Sequence, residues 1–185
     1  VKNDSSPPVL NSISPADKGY VRAHSAEQLI IINASDPETG IRSVSYSYSD
    51  CSGNATGIVL DCMDGYCSGL ADFSGYDEDD TACFNVEITN NAGNVLSGNG
   101  SFGFDETPPV VSLISPVNNS YSNNMFSFEV SDNKASEFKC QMEIDNNMVQ
   151  DVEAFEGVNA FALNASISEG MHDWKITCAD AVGLE

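Results

Sequence analysis

The sequence contains one segment twice, and this duplication restricts the chain to a tandem architecture. Residues Asp4–Pro15 end in SPPVLNSISP and residues Asp105–Pro116 end in TPPVVSLISP, so the two copies are 101 residues apart. The paired prolines fix φ and remove backbone donors, which makes each segment stiff, and the apolar run after them should form a first strand. A period of about 100 residues is one domain long. The chain should therefore consist of two domains, residues 1–104 and 105–185.

Short alternating runs, separated by clusters of Asn, Asp, Gly and Ser, predict strands along the whole chain. The strands expected in the first repeat are Val9–Ile13, Glu27–Ala34, Ile41–Ser49, Gly57–Leu60, Gly69–Phe73, Ala82–Thr89 and Val95–Phe104. Those expected in the second are Val110–Ile114, Met125–Ser131, Glu137–Ile144, Met148–Val152, Ala160–Ile167 and Asp173–Ala179. This pattern predicts an all-β chain of two tandem immunoglobulin-like β-sandwiches, joined by a short Pro-Pro linker, with the last strand of the second one lacking.

The second repeat ends one strand earlier than the first. In the first repeat NNAGN is followed by a strand that ends in FDETPP, whereas DAVGLE closes the second repeat. Val1 and Lys2 occupy the place where a seventh strand would end before the next acidic Pro-Pro joint. An open sandwich edge promotes aggregation unless something pairs with it. We therefore expect either that the chain is a section of a longer array or that another copy supplies the missing edge.

The charge balance excludes several classes of partner. Seven Lys and Arg residues face 28 Asp and Glu residues, which gives a net charge of -21. A phosphate backbone needs a clustered basic face that so few cations cannot make, so nucleic acid and anionic lipid surfaces are poor partners. No stretch approaches the roughly 20 apolar residues that span a bilayer, and we expect no direct membrane insertion in this segment.

Strand parity places two of the six cysteines opposite each other in the second repeat. Cys140 alternates with inward-facing apolar residues on the third strand, and Cys178 does the same on the sixth. These strands are antiparallel neighbours in immunoglobulin-like sheets. Cys140 and Cys178 should therefore form a disulfide on the buried face.

The same register, carried into the first repeat, favours one of the three pairings that four cysteines allow. Facing positions on antiparallel strands have a constant sum of residue numbers, and we align Tyr46 and Ile88 with the two cysteines of the second repeat. That sum also pairs Cys51 with Cys83, on the outer side of the sheet. The remaining two cysteines close a small loop in the sequence CMDGYC: Cys62 and Cys67.

A zinc site is the competing interpretation of CMDGYC. Zinc sites usually need two such cysteine pairs or added histidines, and we expect neither His24 nor His172 to lie near another ligand candidate. We therefore interpret the even cysteine count as disulfides, which implies oxidising, extracellular surroundings at the cell surface. Six glycosylation sequons favour the same location and predict covalently attached glycans: Asn3, Asn33, Asn54, Asn99, Asn118 and Asn164.

Several acidic loops should meet at the joint between the repeats, and they make a calcium site there the metal site to consider. The sandwich topology should bring the loop after the fifth strand of the first repeat towards the loops after the second and sixth strands of the second repeat. The expected ligands are six aspartates: Asp77, Asp79, Asp80, Asp105, Asp132 and Asp180. Ca²⁺ takes six to eight hard oxygen ligands. A counterpart at the other end of the first repeat consists of Asp4, Asp36, Glu38 and Asn91. The alternative is that these loops are solvated faces, and no other cofactor is expected.

No motif in the sequence predicts catalysis. There is no GxSxG, no HExxH and no glycine loop that could cradle a phosphate. Asp79 and Asp80 are neighbours on one loop, so they do not form a glycosidase pair across a cleft. The parity of Trp174 points inward, which favours core packing over a sugar-stacking platform. We expect that the protein is not an enzyme.

Several segments resemble the tandem immunoglobulin-like repeats of archaeal and bacterial cell-surface proteins. They are SPPVLNSISP and DETPPVVSLISP at the starts, SDPETGI and SDNKAS after the second strands, and NNAGN and ADAVG after the sixth. The resemblance covers essentially the whole chain and implies extracellular, end-to-end domains of surface-layer, stalk or adhesin type, in some members with calcium-stiffened joints. The CMDGYC loop is an addition to that pattern.

Three functions fit these observations. The first is a rod-like structural segment of a surface or filament protein, whose partners are other copies of itself or neighbouring repeats. The second is an adhesin module that binds protein or glycan through the loop from Asp50 to Cys67, with Met63 and Tyr66 exposed. The third is an accessory domain of a secreted hydrolase.

Overall fold

The computed structural model describes residues 4–117, 124–164 and 166–185. The chain is all-β and divides into two compact units, Val1–Glu106 and Thr107–Glu185. The division lies two residues beyond the expected boundary, because the buried Asp105 ends the last strand of unit 1 and its carbonyl accepts a hydrogen bond from the Ala23 amide at 3.0 Å. No helix in the described residues is long and apolar enough to cross a membrane.

Unit 1 is a sandwich of a four-stranded and a five-stranded sheet. Its strands are β1 (Val9–Ser14), β2 (Tyr20–Arg22), β3 (Gln28–Ser35), β4 (Ile41–Ser49), β5 (Thr56–Ile58), β6 (Asp61–Met63), β7 (Tyr66–Ala71), β8 (Thr81–Asn90) and β9 (Val95–Asp105). The strand orders are β1-β3-β7-β6 and β2-β9-β8-β4-β5. Only the pair of β2 with β9 is parallel among these described neighbours.

Aromatic side chains fill the core of unit 1. Phe73 is completely buried, and its ring meets those of Tyr48, Phe102 and Phe104 edge-to-face at centroid distances of 4.8, 5.4 and 5.4 Å. Tyr48 lies on β4 and the two phenylalanines lie on β9. Their side chains reach the core because every second residue of a strand points to the same face of the sheet. Edge-to-face contacts add to the stabilisation from burial itself.

Unit 2 is a sandwich of two three-stranded sheets, β10-β11-β14 and β13-β12-β15. Its strands are β10 (Val110–Ser115), β11 (Met125–Ser131), β12 (Glu137–Ile144), β13 (Asn147–Phe155), β14 (Gly157–Ala162) and β15 (Trp174–Ala179). Phe128, Val130 and Met142 are completely buried between the sheets. Among the described residues β15 pairs only with β12, whereas β8 of unit 1 lies between β4 and β9. Within the described residues, unit 2 therefore has six strands, which agrees with the prediction that its last strand is lacking.

Two short strands of unit 1 have no counterpart in the predicted pattern. β2 and β6 each contain three residues, which is too short for an alternation to show. β6 exists because the Asp64-Gly65 turn, with φ of +50° and +84°, folds it onto β7. The same turn makes β7 begin at Tyr66 instead of Gly69, and it ends at Ala71.

The strand bounds in unit 2 also differ where turns set them. A turn at Asp145 and Asn146, both with positive φ, joins β12 directly to β13, so β13 begins at Asn147 and continues to Phe155. Gly157 then starts β14 in register with Val130, which moves this strand to Gly157–Ala162 from the predicted Ala160–Ile167.

The predicted register holds in unit 2 and is wrong by two residues in unit 1. Cys140 faces Cys178 on β12 and β15. On β4 and β8 of unit 1, Ile88 faces Val44, not Tyr46. Both Val44 and Tyr46 pack into the core, so parity alone could not distinguish them.

Candidate functional sites

All six cysteines form disulfides, and each lies within one unit. The pairs are Cys51–Cys83, Cys62–Cys67 and Cys140–Cys178, with no free cysteine. Strand parity favoured Cys51–Cys83 and Cys140–Cys178, and Cys62–Cys67 is the pair that then remained. The first forms although the strand register places Ser49, not Cys51, opposite Cys83. The chain bends after β4, where Cys51 has φ of +64°, and this bend brings the two Cα atoms within 4.9 Å.

The segment from Asp50 to Cys67 crosses from one sheet of unit 1 to the other. β5 extends the five-stranded sheet, and β6 extends the four-stranded sheet through a two-residue hairpin with β7. Two positive φ values at Asp64 and Gly65 are typical of a type I′ turn. The segment exposes apolar side chains, with 92% of Val59, 77% of Met63 and 51% of Tyr66 accessible.

A buried amide joins two carboxylates at one end of unit 1. The Asn90 side chain is fully buried, and its Nδ2 donates to Asp4 Oδ2 and to Asp36 Oδ2, both at 2.9 Å. Thr39 Oγ1 also donates to Asp4 Oδ2 at 2.9 Å. The hydrogen bond from Asn90, followed by that from the Thr39 amide, lowers the pKa of Asp36 below its ordinary value.

This cluster corrects the membership expected from the sequence. Asp4 and Asp36 are present as expected, but their common partner is Asn90, the last residue of β8. Asn91 and Glu38 are exposed, and Asn91 Nδ2 donates instead to the Thr39 carbonyl at 2.8 Å. The inward parity of Val86 and Ile88 continues to Asn90 and is the signal that could have identified it.

At the corresponding end of unit 2, two aspartates each use one carboxylate oxygen to hold a turn. Asp132 Oδ1 accepts the Lys134 and Ala135 amides, both at 2.7 Å. Asp180 is 7% exposed, and its Oδ1 accepts the amides of Val182 and Leu184, both at 2.9 Å. The Oδ2 atoms of both aspartates are buried and have no hydrogen-bond partner within the described residues.

The acidic loop of unit 1 is organised by its own turn and by a histidine. The Asp77 amide donates to Asp80 Oδ2 at 2.8 Å, and the Asp80 amide donates to the Asp77 carbonyl at 3.0 Å. His24 Nε2 lies 3.0 Å from Glu106 Oε2 and 3.4 Å from Asp77 Oδ1. The expectation that His24 lies near no other ligand candidate is therefore wrong, because the fold brings together parts of the chain that are distant in sequence.

His172 has an acidic neighbour too, which corrects the same expectation. Its Nδ1 lies 2.7 Å from Asp145 Oδ2, and its Nε2 lies 3.0 Å from the Ser168 carbonyl oxygen. The hydrogen bond with Asp145 is the main cause that raises the pKa of His172, and it lowers the pKa of Asp145. Two oxygen acceptors suit an imidazole that donates from both nitrogens.

Trp174 packs as its parity predicts. Its ring meets Phe126 edge-to-face at 5.1 Å, and its Nε1 donates to the Pro116 carbonyl at 3.3 Å. It borders an open cleft of about 500 Å³ that includes Ile144 and Ile167.

No group of three or more His, Cys, Asp or Glu side chains among the described residues is arranged to hold a metal ion. The calcium site at the joint involves residues of both units, namely Asp77, Asp79, Asp80 and Asp105 of unit 1 and Asp132 and Asp180 of unit 2. It stays a prediction.

Four of the six sequons have exposed asparagines: Asn33, Asn54, Asn99 and Asn164. Asn33 lies on β3 and Asn99 on β9, and both side chains point outward from their sheets. Asn3 and Asn118 lie outside the described residues. Glycosylation at all six stays a prediction.

Comparison with known proteins gives the fold and no closer relationship. No family model matches the chain, and no curated protein matches it. The FN1-FN3 domains of chicken CNTN1 are similar with a TM-score of 0.54 and 11% identity, over 97% of this chain and 65% of that one.

Two other solved structures have lower scores. SGBP-B from the Bacteroides ovatus mixed-linkage glucan utilization locus has a TM-score of 0.36 and 14% identity, over 97% of this chain and 45% of that one. A 1.5-MDa bacterial ice-binding adhesin has a TM-score of 0.36 and 12% identity, over 96% of this chain and 65% of that one. The finer resemblance to archaeal and bacterial surface repeats stays a prediction. By the chicken structure and by its own sheets, the chain consists of tandem immunoglobulin-like β-sandwiches.

Proposed function

We propose that the chain is a structural segment of an extracellular surface or filament protein, a rod, stalk or lattice component that contacts further copies or neighbouring repeats. The observation that carries this proposal is the placement of the disulfides. Every one joins two parts of the same unit, and no cysteine is free. Disulfides persist in oxidising surroundings, which supports a location outside the cell.

Two of these disulfides connect the strands that the sequence predicts as the third and sixth of each sandwich. Cys140–Cys178 joins β12 to β15 directly, and Cys51–Cys83 joins the end of β4 to β8. The β4 and β8 pair and the β12 and β15 pair lie in the sheets that cover the two cores. A bond across such a pair limits unfolding of a unit without any ligand or partner, which suits a component that must stay folded on a surface.

A second candidate function is adhesion through the Asp50 to Cys67 segment. The observation that favours it is local: the Cys62–Cys67 disulfide closes a tight hairpin, and beside it Val59, Met63 and Tyr66 are exposed. A rigid loop with exposed apolar and aromatic groups loses little conformational entropy on binding. No contact or cleft in the described residues favours the accessory-domain hypothesis over these two.

Electron microscopy of native material can distinguish the two candidates. Gold-labelled antibody against this chain should decorate filaments or lattices at regular intervals along their whole length if the role is structural. A label restricted to filament tips would overturn the structural proposal and favour adhesion. A label on isolated particles with no assembly would also overturn it. Material labelled with the antibody after preincubation with the purified chain is the control for specificity.

A further inference from the structure

The two units share a backbone turn at one end but differ in the side chain that it buries. In unit 1 the Asn90 amide donates to the Asn94 carbonyl at 3.0 Å, and the Gly93 amide donates to the Asn90 carbonyl at 3.1 Å. In unit 2 the Asp180 amide donates to the Leu184 carbonyl at 3.1 Å, and the Gly183 amide donates to the Asp180 carbonyl at 3.3 Å. Asp180 therefore occupies the position of Asn90.

Asp132 in turn occupies the position of Asp36. Asp36 directly follows β3 and Asp132 directly follows β11, within the segments SDPETGI and SDNKAS. Asp36 Oδ1 accepts the amides of residues two and three positions later, at 3.1 and 2.8 Å, and Asp132 Oδ1 accepts the equivalent amides, both at 2.7 Å. The second oxygen, Oδ2, is therefore directed in the same way in both units. In unit 1 this oxygen receives the hydrogen bond from Asn90 Nδ2.

The exchange of asparagine for aspartate removes the donor from this contact. Asn90 Oδ1 accepts the Asn94 amide at 2.8 Å, and Asp180 Oδ1 accepts the equivalent Leu184 amide at 2.9 Å. With the first oxygen held alike, Asp180 Oδ2 corresponds to the amide nitrogen of Asn90, which in unit 1 contacts the aspartate equivalent to Asp132. Both Oδ2 atoms are buried without a hydrogen-bond partner among the described residues. A buried carboxylate oxygen without a partner is costly, and two of them repel each other.

We propose that Asp132 and Asp180 bind a divalent cation, Ca²⁺. In unit 2 this cation would link the two side chains, as the hydrogen bond from the Asn90 amide links Asn90 to Asp36 in unit 1. Two carboxylates supply two negative charges and hard oxygen ligands, and Ca²⁺ accepts irregular coordination completed by water and backbone carbonyls. Mg²⁺ demands nearly ideal octahedral geometry and gives up water reluctantly. This site uses residues of unit 2 alone and is independent of the structural role proposed above.

Hydrogen exchange of the full chain tests the proposal, because it reports on each unit separately. After removal of metal with EDTA, peptides that cover β15 are compared with peptides that cover β8, with and without about 5 mM CaCl₂. A dissociation constant of about 0.5 mM, ordinary for an extracellular module, should slow exchange in β15 about tenfold and leave β8 unchanged. Equal rates in β15 with and without CaCl₂ would overturn the site.

Two reciprocal exchanges between the units sharpen the test. Asp180→Asn gives unit 2 the side chain of unit 1, so β15 should lose its response to Ca²⁺ and exchange in EDTA no faster than in the wild type. Asn90→Asp should create a Ca²⁺ response in β8 and speed its exchange in EDTA. Asp151→Asn is the matched control, because it removes one exposed charge from β13 and should preserve the response. If Asp180→Asn retains the response, the proposal is wrong.

One further outcome would reassign the observation. If the double variant Asp79→Asn, Asp80→Asn abolishes the Ca²⁺ response, the ion belongs to the joint. Asp132→Asn is a second variant of the same site, should Asp180→Asn fail to fold.

Discussion

Two tyrosines on β4 differ in the hydrogen bonding of their hydroxyl groups. Tyr46 and Tyr48 are both buried, at 2% and 7% exposure, and each ring packs on a phenylalanine. Tyr48 OH donates to the Asp72 carbonyl at 2.9 Å, whereas Tyr46 OH is buried with no partner in the described part of the chain. Burial raises the pKa of Tyr46 far above its ordinary value, so this hydroxyl remains neutral.

The pair provides a matched prediction. Tyr46→Phe keeps the ring stacking and removes an unsatisfied polar group, so the free energy of unfolding should stay equal or rise by up to about 1 kcal/mol. Tyr48→Phe removes a satisfied hydrogen bond and leaves the Asp72 carbonyl unpaired, so it should lower that free energy by about 1 kcal/mol. Urea unfolding of both variants measures the difference. Equal losses in the two would show that Tyr46 OH has a partner in solution.

At the scale of elements, the hairpin of β6 and β7 depends on a close backbone approach. The Gly65 carbonyl accepts the Ala34 amide at 2.8 Å, and a Cβ added at Gly65 would overlap the Ala34 carbonyl oxygen. The residue also has φ of +84°. Gly53, elsewhere in the same segment, has φ of +108°, but a Cβ added there would meet only open space. The two glycines therefore separate backbone strain from steric overlap.

Replacing each glycine with alanine should give different losses. Gly53→Ala imposes only the left-handed conformation and should cost about 1 kcal/mol. Gly65→Ala adds the overlap and disturbs the hydrogen bond with Ala34, so it should cost about 3 kcal/mol or more. Thermal unfolding of unit 1 checks the order. If both variants lose equally, the hairpin can move away from β3 at no cost.

Element length explains what the sequence could predict. β4, β11 and β12 have the predicted bounds because seven to nine alternating residues are enough to fix a strand. β2 and β6 could not be predicted in this way, since each contains only three residues, too few to show an alternation. Parity gave the correct face for Tyr46 and Val44 but not the register, which depends on where the loops before the strands begin.

The candidate site was predictable only in part for a similar reason. Asp132 and Asp180 could be selected as acidic loop residues, yet their unpartnered oxygens follow from the turns that occupy Oδ1. Asn90 is a neutral residue without an obvious motif, and its role appears only when strand parity is followed to the end of β8. Single-sequence patterns predict faces well and individual hydrogen-bond partners poorly.

The whole molecule is dominated by its negative charge. A net charge of -21 on 185 residues produces repulsion between parts of the folded surface, and compaction increases that repulsion. Several carboxylates accept local backbone amides, as Asp72 does with Ser74 and Asp50 does with Ser52. Such contacts stabilise the turns but leave the charge in place.

Stability should therefore rise with simple salt. The Debye length falls from about 30 Å at 0.01 M to about 8 Å at 0.15 M, which screens repulsion between exposed carboxylates. We expect the melting temperature in EDTA to rise by about 5 °C over this range of NaCl, equivalent to about 1 kcal/mol. Asp180→Asn should show the same rise, because screening acts on all surface charges, and KCl should act as NaCl does. An unchanged or lower melting temperature would mean that local hydrogen bonds already offset the repulsion and that acidity does not limit stability.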